Sequence, residues 1–230
     1  PKLLERATTS GAYALLLGDP EFPANLEPIS DTPPLLFVRG MLLESDRFSV
    51  AIVGTRRSTP YGEREAARFA QAFAAHGLTV VSGGAAGIDA AAHGGALAAK
   101  DGRTIAVLGC GVDIVYPAQN RDLFARIVNK ERGALVSEFA LGTKPEPWRF
   151  PSRNRIIAGL ARACVLIETP DRSGALGTAR STAEYGRDVF VVPGAVDTGR
   201  SRGGHRLIQD GAALADSPDD VLTALGVVLA

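Results

Sequence analysis

The sequence predicts an α/β fold: a Rossmann-like, mostly parallel sheet with helices on both faces, plus a short N-terminal appendage. Two observations predict it. From Phe48 onward, short and nearly continuous apolar runs alternate with helical patterns, which is how strands buried on both sides of a parallel sheet read. Several of those runs end in glycine or small polar residues and pass straight into a helix, as in SGGAAGIDAAAH, Ser82 to His93. Glycines at a strand-to-helix turn allow the backbone to come close to a ligand. The N–H groups opening the next helix favour an anion there.

Residues 1 to about 45 read as an appendage or linker, and 46–230 as the core. Leu3 to Leu17 suits one or two short helices, and Pro20, Pro23, Pro28, Pro33 and Pro34 break any long element after it. LLFVRG, Leu35 to Gly40, suits a short strand. FSVAIVG is a strand ending at Gly54. A helix follows with Ala66, Phe69, Ala70 and Phe73 at helical spacing, closed by Gly77. Leu78 to Val81 is a strand, and a helix runs from the organising turn to Lys100. Thr104 to Gly109 is a strand, and Asn120 is placed to cap a helix through Val128. Ala134 to Glu138 is a strand, then comes a Pro/Gly-rich loop, Gly142 to Pro151, that holds Trp148. A helix around Ile156 to Leu160, the strand Ala163 to Glu168, a second glycine turn with its helix, and the strand DVFVVPG complete the core. Two short helices fill the tail.

Composition narrows the function classes. With 230 residues, 46% hydrophobic and 22% charged, the chain has the make-up of a globular protein. No apolar run approaches the ~20 residues of a membrane span. The N-terminus shows no basic-then-apolar signal segment. Cys110 and Cys164 lie in or beside apolar runs and read as buried thiols in a reducing, cytoplasmic compartment. His76, His93 and His205 lack metal-ligand spacing, so no metal site is expected. Net charge is zero, which argues against a strongly basic binder. Yet Lys144 to Arg206 holds 11 Lys/Arg against 6 Asp/Glu, and arginine predominates. Guanidinium forks suit phosphate, so this stretch is an electrostatic footprint.

In such sheets ligands bind at the carboxyl ends of the strands. Those ends carry Gly54-Thr55-Arg56, Ser82-Gly83-Gly84 with Asp89 beyond Gly87, Gly109-Cys110-Gly111, and Glu168 followed by Ser173-Gly174 and Gly177-Thr178. Two helix N-termini and an arginine on one crevice would make a phosphate site. The dinucleotide fingerprint G-x-G-x-x-G is absent after the first strand, and so is a P-loop. A nicotinamide-dependent oxidoreductase and ATP use are therefore disfavoured, and no cofactor is expected.

SGGAAGIDAAAHGGAL, GCGVDIVYPAQN, FPSRNRIIAGLARACVLIE, SGALGTA and GRDVFVVPG, in this order and spacing, resemble the DNA-processing protein A family (DprA, also called Smf). The resemblance runs from about Phe48 to Ala215, and FPSRNRIIAGL is its most specific part. It implies a Rossmann-like core that binds single-stranded DNA, protects incoming strands during natural transformation and helps load RecA onto them. It implies no enzyme activity, and a homodimer formed through the core. Leu207, Ile208 and Leu214 are candidate apolar contacts for that dimer. Members commonly carry a small N-terminal helical domain and often a C-terminal winged-helix-like domain. The start at Pro1, without an initiator methionine, suits a fragment, and the winged-helix-like domain is not in this sequence, either by truncation or natively.

Single-stranded DNA suits these residue types, because its phosphates fit glycine turns and arginines without a fixed base sequence. Gly54, Arg56, Ser82, Gly83, Gly84 and Gly87 are expected to cradle phosphate. Arg153, Asn154 and Arg155 are expected to clamp the backbone, with a base edge as the alternative for Asn154. Ser173, Gly174 and Thr178 would form the second helix-end contact, and Lys144 and Arg149 would extend the track. Trp148 and Phe150 suit either base stacking or anchoring of their loop, and anchoring is preferred. Asp89 is expected to orient its turn, and His93 to be a packed histidine.

A rival comes from the enzymes. The glycine-turn architecture also resembles the lysine-decarboxylase-like nucleotide phosphoribohydrolases, which carry P-G-G-x-G-T with a glutamate within three residues. The matching segment here is Ser173 to Thr178, and the acid positions hold Arg180 and Ser181, with Glu184 about a helical turn late. A cation there opposes an oxocarbenium-like transition state.

Overall fold

The computed structural model describes residues 6–7, 9–129 and 131–228. Nine strands form one sheet in the order β1-β2-β6-β5-β4-β3-β7-β8-β9. The strands are β1 (Ala12–Leu16), β2 (Leu35–Gly40), β3 (Ser49–Gly54), β4 (Thr79–Ser82), β5 (Thr104–Val107), β6 (Gly133–Ser137), β7 (Ala163–Ile167), β8 (Asp188–Val191) and β9 (Ala213–Leu214). Strands β3 to β9 pair in parallel with one another. The β1–β2 hairpin joins the β6 edge antiparallel. Strand order reverses between β3 and β7, which pair from Val50↔Ala163 to Gly54↔Ile167. A crevice opens at such a reversal, outside the carboxyl ends of the strands.

The helices are α1 (Pro60–Ala75), α2 (Ile88–Ala98), α3 (Arg121–Ile127), α4 (Arg149–Leu160), α5 (Ala175–Glu184), α6 (Arg202–Gln209) and α7 (Pro218–Ala224). Period-two alternation along the strands serves both faces. Val50 and Ile52 of β3 and Val165 and Ile167 of β7 pack with Phe69 and Phe73 of α1 and Ile88 and Ala92 of α2. Ala51, Val53, Cys164 and Leu166 pack on the other face with Ile156, Ile157 and Leu160 of α4 and Ala175 and Ala179 of α5. The parallel, doubly covered sheet predicted from the apolar runs is therefore present.

Helix α1 shows why the local sequence folds this way. Pro60 stands at its first turn, Thr59 accepts a hydrogen bond from the Gly62 amide at 3.3 Å, and Gly77 at φ +79° stops it.

Three elements depart from the sequence expectation. Of the helix expected over Leu3 to Leu17, residues 3–5 and 8 lie outside the described residues. Residues 6–7 and 9–10 are helical, but Ala12–Leu16 is strand β1, held in register by β2 from Ala12↔Arg39 to Leu16↔Leu35. Tertiary pairing overrides an ambiguous apolar run. Asn120 stands at the start of α3 without capping it; its amide instead donates to the carbonyls of Gly84 and Ala85 at 2.9 and 3.1 Å. Helix α4 begins at Arg149, so the last residues of the expected loop are helical.

Candidate functional site

A cleft of about 890 Å³ lies at the β3/β7 reversal. Its lining comes from the β3 end (Gly54 to Arg57), the turn into α2 (Ala85, Asp89), the start of α4 (Phe150, Pro151, Arg153, Asn154) and the β7–α5 turn with the start of α5 (Pro170, Arg172 to Ala175, Gly177, Thr178). The two glycine turns expected to face one crevice thus share it. Five arginines line it, Arg56, Arg57, Arg153, Arg172 and Arg180, against two carboxylates, Asp89 and Glu146. Arg56, Arg57, Arg172 and Arg180 are exposed, and none of the four pairs with a carboxylate among the described residues. Arg56 lies 4.8 Å over the Phe150 ring, and Phe150 packs 5.6 Å from Tyr116. A second, smaller hollow of about 170 Å³, lined by Gly83, Gly84, Gly109, Cys110, Tyr116 and Phe150, opens beside Arg56.

The structure redistributes the expected roles. Arg153 does not present its guanidinium to a ligand. Its side chain is 5% exposed and lies 3.9 Å from Asp89. Its Nη1 donates to the carbonyls of Gly83 and Val107. Burial lowers its pKa to about 10, against the pull of Asp89, so it stays charged at neutral pH. Burial raises the Asp89 carboxyl, and Arg153 opposes that rise. Asp89 also accepts the Ala85 amide at 3.2 Å, so it orients its turn as expected.

Arg155 departs from expectation as well. It grips Glu138 through two 2.8 Å bonds and lies 3.5 Å from Asp31. It braces α4 against the end of β6 and the N-terminal segment instead of clamping a strand. Arg149 packs over Trp148 and Phe139 and donates to the Lys144 carbonyl, so it holds its loop together. Lys144 is exposed next to Pro145, which lines the cleft.

The glycine turns carry a further correction. Ser82 is buried and its hydroxyl donates to the Ile52 carbonyl at 2.6 Å, so it ties β4 to β3 and cannot cradle phosphate. Gly54 is required by packing: a Cβ there would lie 2.0 Å from the Ile167 carbonyl. Gly87 has φ +79°, and a Cβ would lie 2.5 Å from the Thr55 carbonyl, so it too serves packing. Gly83 leaves room for the Arg153 guanidinium, and Gly84 abuts Leu108 and Phe124. The first α2 amide, Ile88, is spent on Thr55 at 3.2 Å. At α5, the amides of Ala175, Leu176 and Gly177 bond back to Ser173 and Gly174. The backbone donors expected to grip phosphate are therefore largely satisfied internally, and the positive charge in the cleft is mainly that of exposed guanidinium groups.

Asn154 and the β7–α5 turn come together: Asn154 Nδ2 donates to the Gly174 carbonyl at 3.0 Å, and both line the cleft. Thr178 lines it but is 1% exposed. Gly174 is exposed and a Cβ there would meet nothing within 4 Å, so packing does not demand glycine at this position. Trp148 is 58% exposed, so it is not buried in the core, but it stands edge-on to Phe139 at 6.0 Å and its Nε1 donates to Glu146 at 2.6 Å, which ties it into its own loop. Sequence reasoning did not select Arg57, Arg172 or Arg180. A signal existed: Gly177, Arg180 and Ser181 fall at i, i+3 and i+4 on α5, one helix face.

His93 is fully buried, its Nδ1 2.6 Å from the Thr104 hydroxyl, and burial lowers its pKa to about 3. Burial pushes the Cys110 thiol up to about 11 and Cys164 to about 12. Among the described residues no group of His, Cys, Asp and Glu is placed to hold a metal ion. No described helix is long and apolar enough to cross a membrane.

Fold and cleft together define a Rossmann-like protein with an arginine-lined crevice at its topological switch point. The family model for DNA recombination-mediator protein A matches residues 13–226, and the chain belongs to that family. It is 43% identical over 231 residues to the protein Smf of Synechocystis sp., covering 99% of this chain and 57% of the relative, so it spans a little over half that relative's length. It is similar to the X-ray structure of DNA processing protein A from Streptococcus pneumoniae, with TM-score 0.85, 42% identity, and 92% of this chain and 73% of that one covered. It is also similar to DNA processing protein A from Helicobacter pylori, solved for its single-stranded DNA binding mode, with TM-score 0.82, 28% identity and coverage of 93% and 95%.

Proposed function

We propose that this chain binds single-stranded DNA non-catalytically in the β3/β7 cleft, as part of a protein that protects incoming strands and hands them to RecA in the cytoplasm. The observation that carries the DNA reading is the set of exposed arginines, Arg56, Arg57, Arg172 and Arg180, converging on one crevice without internal carboxylate partners among the described residues. Exposed guanidinium groups beside the Tyr116–Phe150 aromatic pair suit phosphates on a flexible strand and bases of any sequence. Family membership and the Helicobacter pylori relative support the same reading. RecA handover rests on the family resemblance alone.

The hydrolase reading is weaker. Arg180 and Ser181 line the cleft at the positions where an acid is needed. Glu184 closes α5 in an exposed position outside the lining. A mobility-shift comparison of one oligonucleotide as a single strand and as its matched duplex tests the proposal. Preferential shift of the single strand is expected. Equal affinity for both, or release of adenine from adenosine monophosphate, contradicts it.

A further inference from the structure

The cleft does not end at the β7–α5 turn. A passage of about 270 Å³ shares Thr55, Arg57 and Pro170 with it. The same passage shares Thr198 and Arg200 with a cavity of about 510 Å³ beyond the end of β8. One groove therefore runs along the carboxyl edge of the sheet from Phe150 past Arg57 to Pro193. Arg200 donates to the Arg57 carbonyl at 2.9 Å, which fixes the β3 and β8 loops across the passage.

The far cavity differs chemically from the cleft. Its lining includes Glu168, which is 5% exposed and accepts the Thr59 amide at 2.8 Å and the Thr59 hydroxyl at 2.5 Å. A carboxylate has about four acceptor positions, so two remain. Tyr61 lines the same cavity, 38% exposed, with its hydroxyl held on the Pro193 carbonyl at 2.7 Å. With Glu168 balanced only by Arg200 at the passage end, where the cleft sets five arginines against two carboxylates, this lining is far less suited to phosphate. It suits the face and donor edge of a nucleobase.

We infer that this cavity takes a nucleobase bearing an exocyclic amine, from the strand whose phosphates pass Arg57 and Arg200. The base stacks on Tyr61 and its amine donates to Glu168. The inference rests on the single-stranded DNA reading, and the occupant follows from the continuity of the groove and the switch in charge along it. Adenine, cytosine and guanine carry such an amine and thymine does not.

Fluorescence anisotropy with oligodeoxycytidylate and oligothymidylate series of increasing length tests it on the whole chain. Tyr61→Ala is expected to weaken binding of long cytidylate strands about tenfold, to leave the shortest binding strand unaffected, and to erase the preference for cytidylate. Tyr61→Phe should bind like the parent. Ala195→Trp, which adds bulk on an exposed lining position, should reproduce the Tyr61→Ala loss without touching a core contact. Parental affinity of both Tyr61→Ala and Ala195→Trp for long strands overturns the inference while the cleft reading stands. Failure of the parent to bind any strand overturns both.

Discussion

His93 shows what a single side chain contributes. It lies in α2 against β5, and Thr104 already donates its hydroxyl proton to the Val80 carbonyl at 2.7 Å. The imidazole must therefore donate from Nδ1 to Thr104, which leaves Nε2 as an acceptor, and Nε2 is buried without a partner among the described residues. Protonating Nε2 places an unsatisfied N–H and a charge in an apolar site near Arg153, which is why the pKa falls to about 3. The sign follows by linkage. Between about pH 6.5 and 3 the unfolded chain binds the proton and the folded one does not, so stability is complete above 6.5 and declines on acidification. Each unit costs at most ~1.4 kcal/mol from this group. Thermal midpoints across that range are expected to fall less steeply for His93→Asn than for the parent. Parallel curves would show that His93 does not set the acid response. Burial of His93 was legible from its place in an alanine-rich run. The orientation of the arginines was not. Arg56 and Arg153 look alike as letters, and only the tertiary arrangement turns one outward over Phe150 and the other inward onto Gly83, Val107 and Asp89.

Elements decide what the glycines are for. Strand β3 meets β7 and α2 so closely at Gly54 that any Cβ strikes backbone. Gly54→Ala should cost at least ~3 kcal/mol by overpacking, lowering the Tm by roughly 6–12 °C. A Cβ on Gly174, at the start of α5, would point into open space, and its φ of −61° is ordinary. Gly174→Ala should leave the Tm nearly unchanged while weakening single-stranded DNA binding, because the added methyl stands where a phosphate would approach. Unaltered binding in that variant would show that the second turn contributes charge but no close backbone contact. Strand and helix positions were legible here because β3 to β8 are short, nearly continuous apolar runs and α1 has apolar residues at helical spacing. Strand β1 was not, since AYALL has no clear period and is defined by its partner β2. Strand β9 is two residues long and leaves no pattern to read.

At the scale of the whole molecule, one sheet separates the proposed binding cleft, at the β3/β7 reversal, from the β9 edge at the far end of the strand order, where a dimer contact was expected. Of the three residues expected at a dimer contact, Leu207 and Ile208 pack partly against the core and Leu214 on β9 is 49% exposed. An edge strand with an exposed leucine invites pairing with a second copy. Leu214→Arg is expected to reduce self-association in gel filtration with the Tm retained, and an elution profile identical to the parent would place any dimer elsewhere. The position of the cleft was legible from glycine turns at strand ends, and so was Arg56 on its wall, whereas the share of the grip given to backbone amides was not, because the fold uses those amides internally. The claim that exposed guanidinium groups hold a polynucleotide backbone is tested most directly by the salt dependence of single-stranded DNA affinity for the parent and an Arg56→Ala/Arg180→Ala variant. Each lost phosphate contact removes about 0.7 from the slope of log K against log salt. Weaker binding with a slope shallower by about 1.4 is expected from two such contacts; an affinity and slope equal to the parent's would contradict the claim.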